Sequence, residues 1–144
     1  MNRIIVAAVV FIISASAGYT AGYTLGPSKE TEAVNFQKNL LASKTRNETR
    51  PTQDPRLYTA DPYVFSAYSA AREIPKVLDK LFCYCYCATN PKFNHKSLLT
   101  CYVDEHATRC GVCLKEAVAA KQLTGEGKKP EEIAKIFADY YLNR

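Results

Sequence analysis

A chain of 144 residues has room for one domain of ordinary size, and its 19 Lys and Arg against 14 Asp and Glu give a net charge of +5. The basic residues are scattered and not gathered in a cluster interleaved with aromatics, which excludes a nucleic-acid-binding face and leaves a solvated surface. No hydrolytic triad stands out, because Ser97 beside His95 has no carboxylate placed to orient it, and the glycines of "TGEGKKP" make a turn and not a phosphate loop.

In chain order, residues 1–26 form the first unit. Arg3 precedes an uncharged run from Ile4 to Leu25, long enough to cross a bilayer as a helix. The run predicts a membrane anchor with its N-terminus in the cytoplasm and the rest of the chain outside. Ala15-Ser16-Ala17 offers a small-x-small cleavage site, so a removed signal and a secreted or periplasmic product form the alternative. Gly18, Gly22 and Gly26 recur every four residues, a spacing through which two such helices can pair as a homodimer. No cysteine lies here, which excludes a lipidated N-terminal cysteine.

Residues 27–56 carry ten charges and are punctuated by Pro27, Pro51 and Pro55. So polar a segment reads as a flexible tether, with room for a short helix over Val34 to Leu41. The tether would let the head reach a membrane-embedded or exported protein partner.

From residue 57 to 144 the pattern is helical, and the fold class predicted is all-α. Asp61-Pro62 is a capping carboxylate followed by a first-turn proline, ahead of a stripe of Tyr63, Ser66, Ala67, Ala70 and Ala71. Pro75 opens a turn whose Val77, Leu78, Leu81 and Phe82 lead into Cys83. Asn94 is a cap for a short helix through Leu98, Leu99 and Tyr102. A helical hairpin closes the chain: one arm from about Thr108 to Leu123, and a second opened by Pro130 with Ile133, Ile136, Phe137, Tyr140 and Tyr141 as core. The head is short of large aliphatics, and small exported domains of that kind recruit disulfides or a metal.

"CYCYC" at 83–87 is the chemical centre of the sequence. If extended, it puts Cys83, Cys85 and Cys87 on one side and its two tyrosines on the other. His106, Cys110 and Cys113 stand at i, i+4 and i+7, which one helix would stack on a single face. Cys101 and His95 lie between, so all six cysteines and both histidines fall within residues 83–113. A thiolate-rich set suits Cu(I) or Zn, and an oxidising compartment argues against an iron–sulfur cluster. Metal binding through Cys83, Cys85, Cys87, Cys101, His106, Cys110, Cys113 and His95 is the leading reading. Taken singly, each histidine fits a cap or surface position better than a ligand, although His106 gains from its register. A thiol–disulfide relay through Cys110 and Cys113 and a disulfide-stapled interaction module both stay open. Asp104 and Glu105 read as helix-start carboxylates.

Three stretches, "EIPKVLDKLFCYCYC", "HKSLLTCYVDEHATRCGVCLKEA" and "GKKPEEIAKIFADYY", resemble the PCYCGC-motif proteins, small exported or lipid-anchored prokaryotic chains. The likeness runs over about residues 73–141. It implies soft-metal or redox chemistry at Cys83, Cys85 and Cys87, and lowers the structural-disulfide reading. Phe82 stands where the motif has proline and Tyr86 where it has glycine, which implies a more crowded or differently oriented loop.

Overall fold

The computed structural model describes residues 28–43, 45–88, 90, 92–93 and 95–143. The predicted membrane helix, its glycine face and the Asn94 cap lie outside them. Among the described residues no helix is long and apolar enough to cross a membrane, and the fold is helical with no strand.

Five α-helices follow in order: α1 Lys29–Ser43, α2 Pro62–Glu73, α3 Pro75–Leu78, α4 Gly111–Gly125 and α5 Pro130–Leu142. Three 3-10 turns join them, η1 Pro55–Tyr58, η2 Leu99–Tyr102 and η3 Glu105–Arg109. Within the stretch read as a tether, α1 exceeds the short helix expected. Ser28 Oγ accepts from the Thr31 N–H as its N-cap, and the helix lies against α5. Val34 and Leu41 on it are exposed.

The segment after α1 is bonded to the head. Glu48 N–H donates to Asp79 at 3.0 Å, Gln53 N–H donates to the Tyr102 carbonyl at 2.9 Å, and the Tyr58 ring packs on Tyr68. Polarity suggested a tether because it counts buried apolar area. The contacts of Glu48 and Gln53 are instead hydrogen bonds from backbone N–H groups to partners far along the chain, which composition does not display.

Asp61 caps α2 through the N–H groups of Tyr63 and Val64, and α2 buries Val64, Ala67, Tyr68, Ala70 and Ala71 while leaving Tyr63 exposed. That face meets α4, where Ala117 and Ala120 are buried in turn. Alanine on both sides lets the two backbones approach closely. Ile74, restricted by the following proline, leaves the helical region and starts the single turn of α3. Gly127, at φ 83°, supplies the left-handed turn between α4 and α5. On α5, Ile133 and Phe137 are buried, but Ile136 and Tyr140 are exposed at 40% and 45%. The core face is shifted from the expected stripe, since Ala134 and Ala138 are buried beside Ile133 and Phe137 in place of Ile136 and Tyr140.

The heart of the head is Tyr68, Leu78, Leu81, Leu98 and Tyr102, all fully buried. Tyr68 donates to the Asp104 carbonyl and Tyr102 to the Cys113 carbonyl, each at 2.7 Å. Both hydroxyls are thereby satisfied inside a low-dielectric core, one on the N-cap of η3 and the other on the first turn of α4, the segments that carry His106 and Cys113.

Candidate metal centre

The CYCYC segment is a turn and not an extended strand. The Tyr86 N–H donates to the Cys83 carbonyl at 3.2 Å, and Tyr86 sits at φ 61°. The turn brings the three thiols together more tightly than alternation would: Cys83 and Cys85 sulfurs are 3.1 Å apart, and Cys85 and Cys87 3.0 Å. Tyr84 points away from them, stacked on Tyr141 with ring centroids 4.7 Å apart.

From η2 and α4 come Cys101 and Cys113, both fully buried, with Cys113 Sγ at 3.4 Å from Cys83 and 3.6 Å from Cys85. His95 Nδ1 lies 3.1 Å from Cys101 Sγ, and His106 Nε2 lies 3.0 Å from Cys87 Sγ. The two imidazoles meet edge to face at 4.5 Å, and Phe93 covers His106. Three donor groups result, each with its atoms within 4.8 Å of one another: Cys83, Cys85, Cys101 and Cys113; Cys85, Cys87 and His106; His95, Cys101 and His106.

Cys110 is in none of these groups. The predicted helical stack of His106, Cys110 and Cys113 does not form, because the chain changes from 3-10 to α-helix between them. Cys110 is the extended N-cap of α4, at φ −124° and ψ 98°, and Asp104 caps η3 through the His106 N–H. Cys110 lines the wall of an open cleft of about 440 Å³ with Cys85, Cys87, Phe93, Glu105, His106 and Arg109. Thus seven of the eight residues singled out in the sequence converge, and the eighth stands at the cleft.

Electrostatically the group is uneven. Hydrogen bonds from Cys101, Cys113 and Cys83 hold the Cys85 thiol far below its ordinary pKa. The bond to Cys101, then those to Cys113 and Cys85, push Cys83 up, and burial pushes Cys87 up. His95 is lowered by burial and by the neighbouring His106, which keeps its imidazole neutral and able to ligate.

Glu116 was not singled out in the sequence. Its side chain is buried, its Oε1 accepts the Tyr84 N–H at 3.0 Å, and burial raises it to about 8. The signal was present, since Glu116 stands three residues after Cys113 on the buried stripe that continues through Ala117 and Ala120. Asp79 was also missed. It accepts from Ser97 Oγ at 2.8 Å, while His95 turns to Cys101, so no triad forms.

The pattern that defines proteins of unknown function with the PCYCGC motif matches residues 28–143. The chain belongs to the PCYCGC-motif family. No curated protein and no solved structure matches it. Family membership gives the backbone of the turn a meaning. Tyr86 stands at the motif's glycine and adopts the left-handed conformation that glycine enters without steric penalty. Phe82, at the motif's proline, is buried and packs edge-on against Tyr84 at 5.1 Å.

Proposed function

We propose that this PCYCGC-motif protein is a soft-metal-binding protein for Cu(I) or Zn, held at the membrane by its N-terminal segment with the head outside the cytoplasm. Its role is to bind, deliver or sequester the ion beside a membrane or exported protein partner. The observation that carries the metal reading is the convergence of five thiols and two imidazoles into donor groups that share members. Soft sulfur donors with imidazole nitrogens suit Cu(I) and Zn over hard cations. A cation among the sulfurs would replace weak S–H contacts with coordinate bonds as the thiols release their protons to solvent. No turnover is required of the site.

The test is an anaerobic titration of reduced full-length protein with Cu(I), and separately with Zn, against a coloured chelator. Stoichiometric capture by one of these ions is expected. Failure to compete for either overturns the reading.

A second reading, thiol–disulfide exchange, is favoured by one distance, the 3.4 Å between Cys83 and Cys113 sulfurs across thirty residues of chain. It would use that pair in place of Cys110 and Cys113. Protein isolated from the envelope without reductant would then carry a reducible Cys83–Cys113 bond.

A further inference from the structure

The donor groups differ in their access to solvent. Cys83, Cys101 and Cys113 are 2%, 0% and 0% exposed and none lines the cleft, whereas Cys85, Cys87 and His106 do, with Cys87 itself buried at 7%. Cys85 alone belongs both to the buried four-thiol group and to the cleft wall. A thiolate sulfur has lone pairs enough to bridge two soft cations, and Cu(I) is content with three ligands where Zn requires four.

We propose that the centre is two-tiered: an inner position among Cys83, Cys85, Cys101 and Cys113, an outer one formed by Cys85, Cys87 and His106, and Cys85 as the bridge between them. The outer position is where Cu(I) enters and leaves, and the inner one holds an ion sealed from solvent. Bond exchange at the bridge is ligand substitution, in which Cys85 keeps its thiolate charge and no electron is transferred. The ligand class follows from the geometry. Cu(I) prefers soft donors, and a cleft of about 440 Å³ lined by Cys85, Cys87 and His106, together with Glu105 and Arg109, leaves room for a carrier's thiol or imidazole beside the outer ion. This inference rests on the metal-binding reading and goes beyond it in number of ions, order of loading and route.

The experiment is anaerobic loading of the full-length chain with Cu(I), native mass spectrometry for stoichiometry, and stopped-flow release to a chelator. Wild type is expected to hold more than one ion and to release them in a fast and a slow phase. The double variant Cys87→Ser with His106→Gln should keep the slow phase and lose the fast one. Cys101→Ser should lose the slow phase and keep the fast one, with helicity by circular dichroism checking that each variant folds. A single ion released in one phase by wild type, or a fast phase that survives the double variant, overturns the two-tier arrangement while leaving metal binding intact. If wild type captures no ion, both readings fall.

Discussion

The Tyr102 hydroxyl donates to the backbone carbonyl of Cys113 at 2.7 Å, inside a core where both residues are fully inaccessible to solvent. This bond ties the first turn of α4 to η2, and so fixes the separation of Cys113 from Cys101, which precedes Tyr102 in the chain. The sulfur cluster is assembled by the core and not merely decorated onto it. The first prediction follows from that bond. Tyr102→Phe keeps the ring and removes one buried hydrogen bond, while the Cys113 carbonyl keeps its place in the α4 ladder, so a loss of about 0.5–1.5 kcal/mol is expected. Denaturant unfolding should show that loss, and Cu(I) affinity should fall with it.

Tyr86 supplies the second prediction. At φ 61° a residue with a side chain suffers a penalty of roughly 1–2 kcal/mol, partly offset here by the ring's contact with Phe82 at 6.0 Å. Tyr86→Gly removes the strain and the contact together, so its unfolding free energy should stay within about 1 kcal/mol of wild type. Tyr86→Val keeps the strain, worsens it by β-branching and loses the ring, and should be destabilised by about 1–2 kcal/mol. If Val is tolerated as well as Gly, the turn is not as described.

Cys110 and Cys101 separate the donor groups from the sequence pattern. Cys110→Ser should leave Cu(I) stoichiometry and equilibrium affinity unchanged, because its thiol is in none of the groups. Cys101→Ser removes a member of two groups at once and should weaken capture by at least about tenfold, the lower end of what ligand-shell changes produce. Chelator competition on the two variants side by side decides it.

Stability should depend on acid through Glu48. Side-chain hydrogen bonding from Arg50, then the Arg50 backbone and Thr100, lowers Glu48 to about 2, despite the opposing effect of burial. A carboxylate lowered on folding contributes stability that is fully present above its unfolded pKa, about 4.5, and is lost as the pH falls towards about 2. Arg50 is 59% exposed, so solvent screens the pair and a contribution of about 1 kcal/mol is expected. Glu48→Gln should lower the melting temperature at neutral pH and flatten its fall between about pH 5 and pH 2. A variant with the wild-type slope would assign the acid sensitivity to another group.

Much of the scaffold was legible from local chemistry. Asp61-Pro62, Pro75 and Pro130 open helices where capping and fixed φ require them, and the clustering of cysteine and histidine marked the site before any coordinates. The misreadings share a cause. Cys110 was grouped with His106 and Cys113 because helical register was assumed across Arg109, and a 3-10 segment changes that register. Residues 27–56 read as a tether because the partners of Glu48 and Gln53 within them, Asp79, Thr100 and Tyr102, are remote in sequence. Glu116 carries a weaker signal, its place three residues after Cys113 on the apolar stripe of Ala117 and Ala120, which matters only once that face is known to be buried.

The sequence alone determined the helical class, the helix starts and the inventory of soft donors, since propensity, capping and residue chemistry act over a few neighbours. Which sulfur meets which imidazole was decided by the tertiary structure alone. Those contacts depend on a left-handed residue at Tyr86, on the change of helix type before Cys110, and on buried tyrosine hydroxyls that bond to backbone carbonyls of other elements. Such contacts come from packing the whole head and are properties of no single segment.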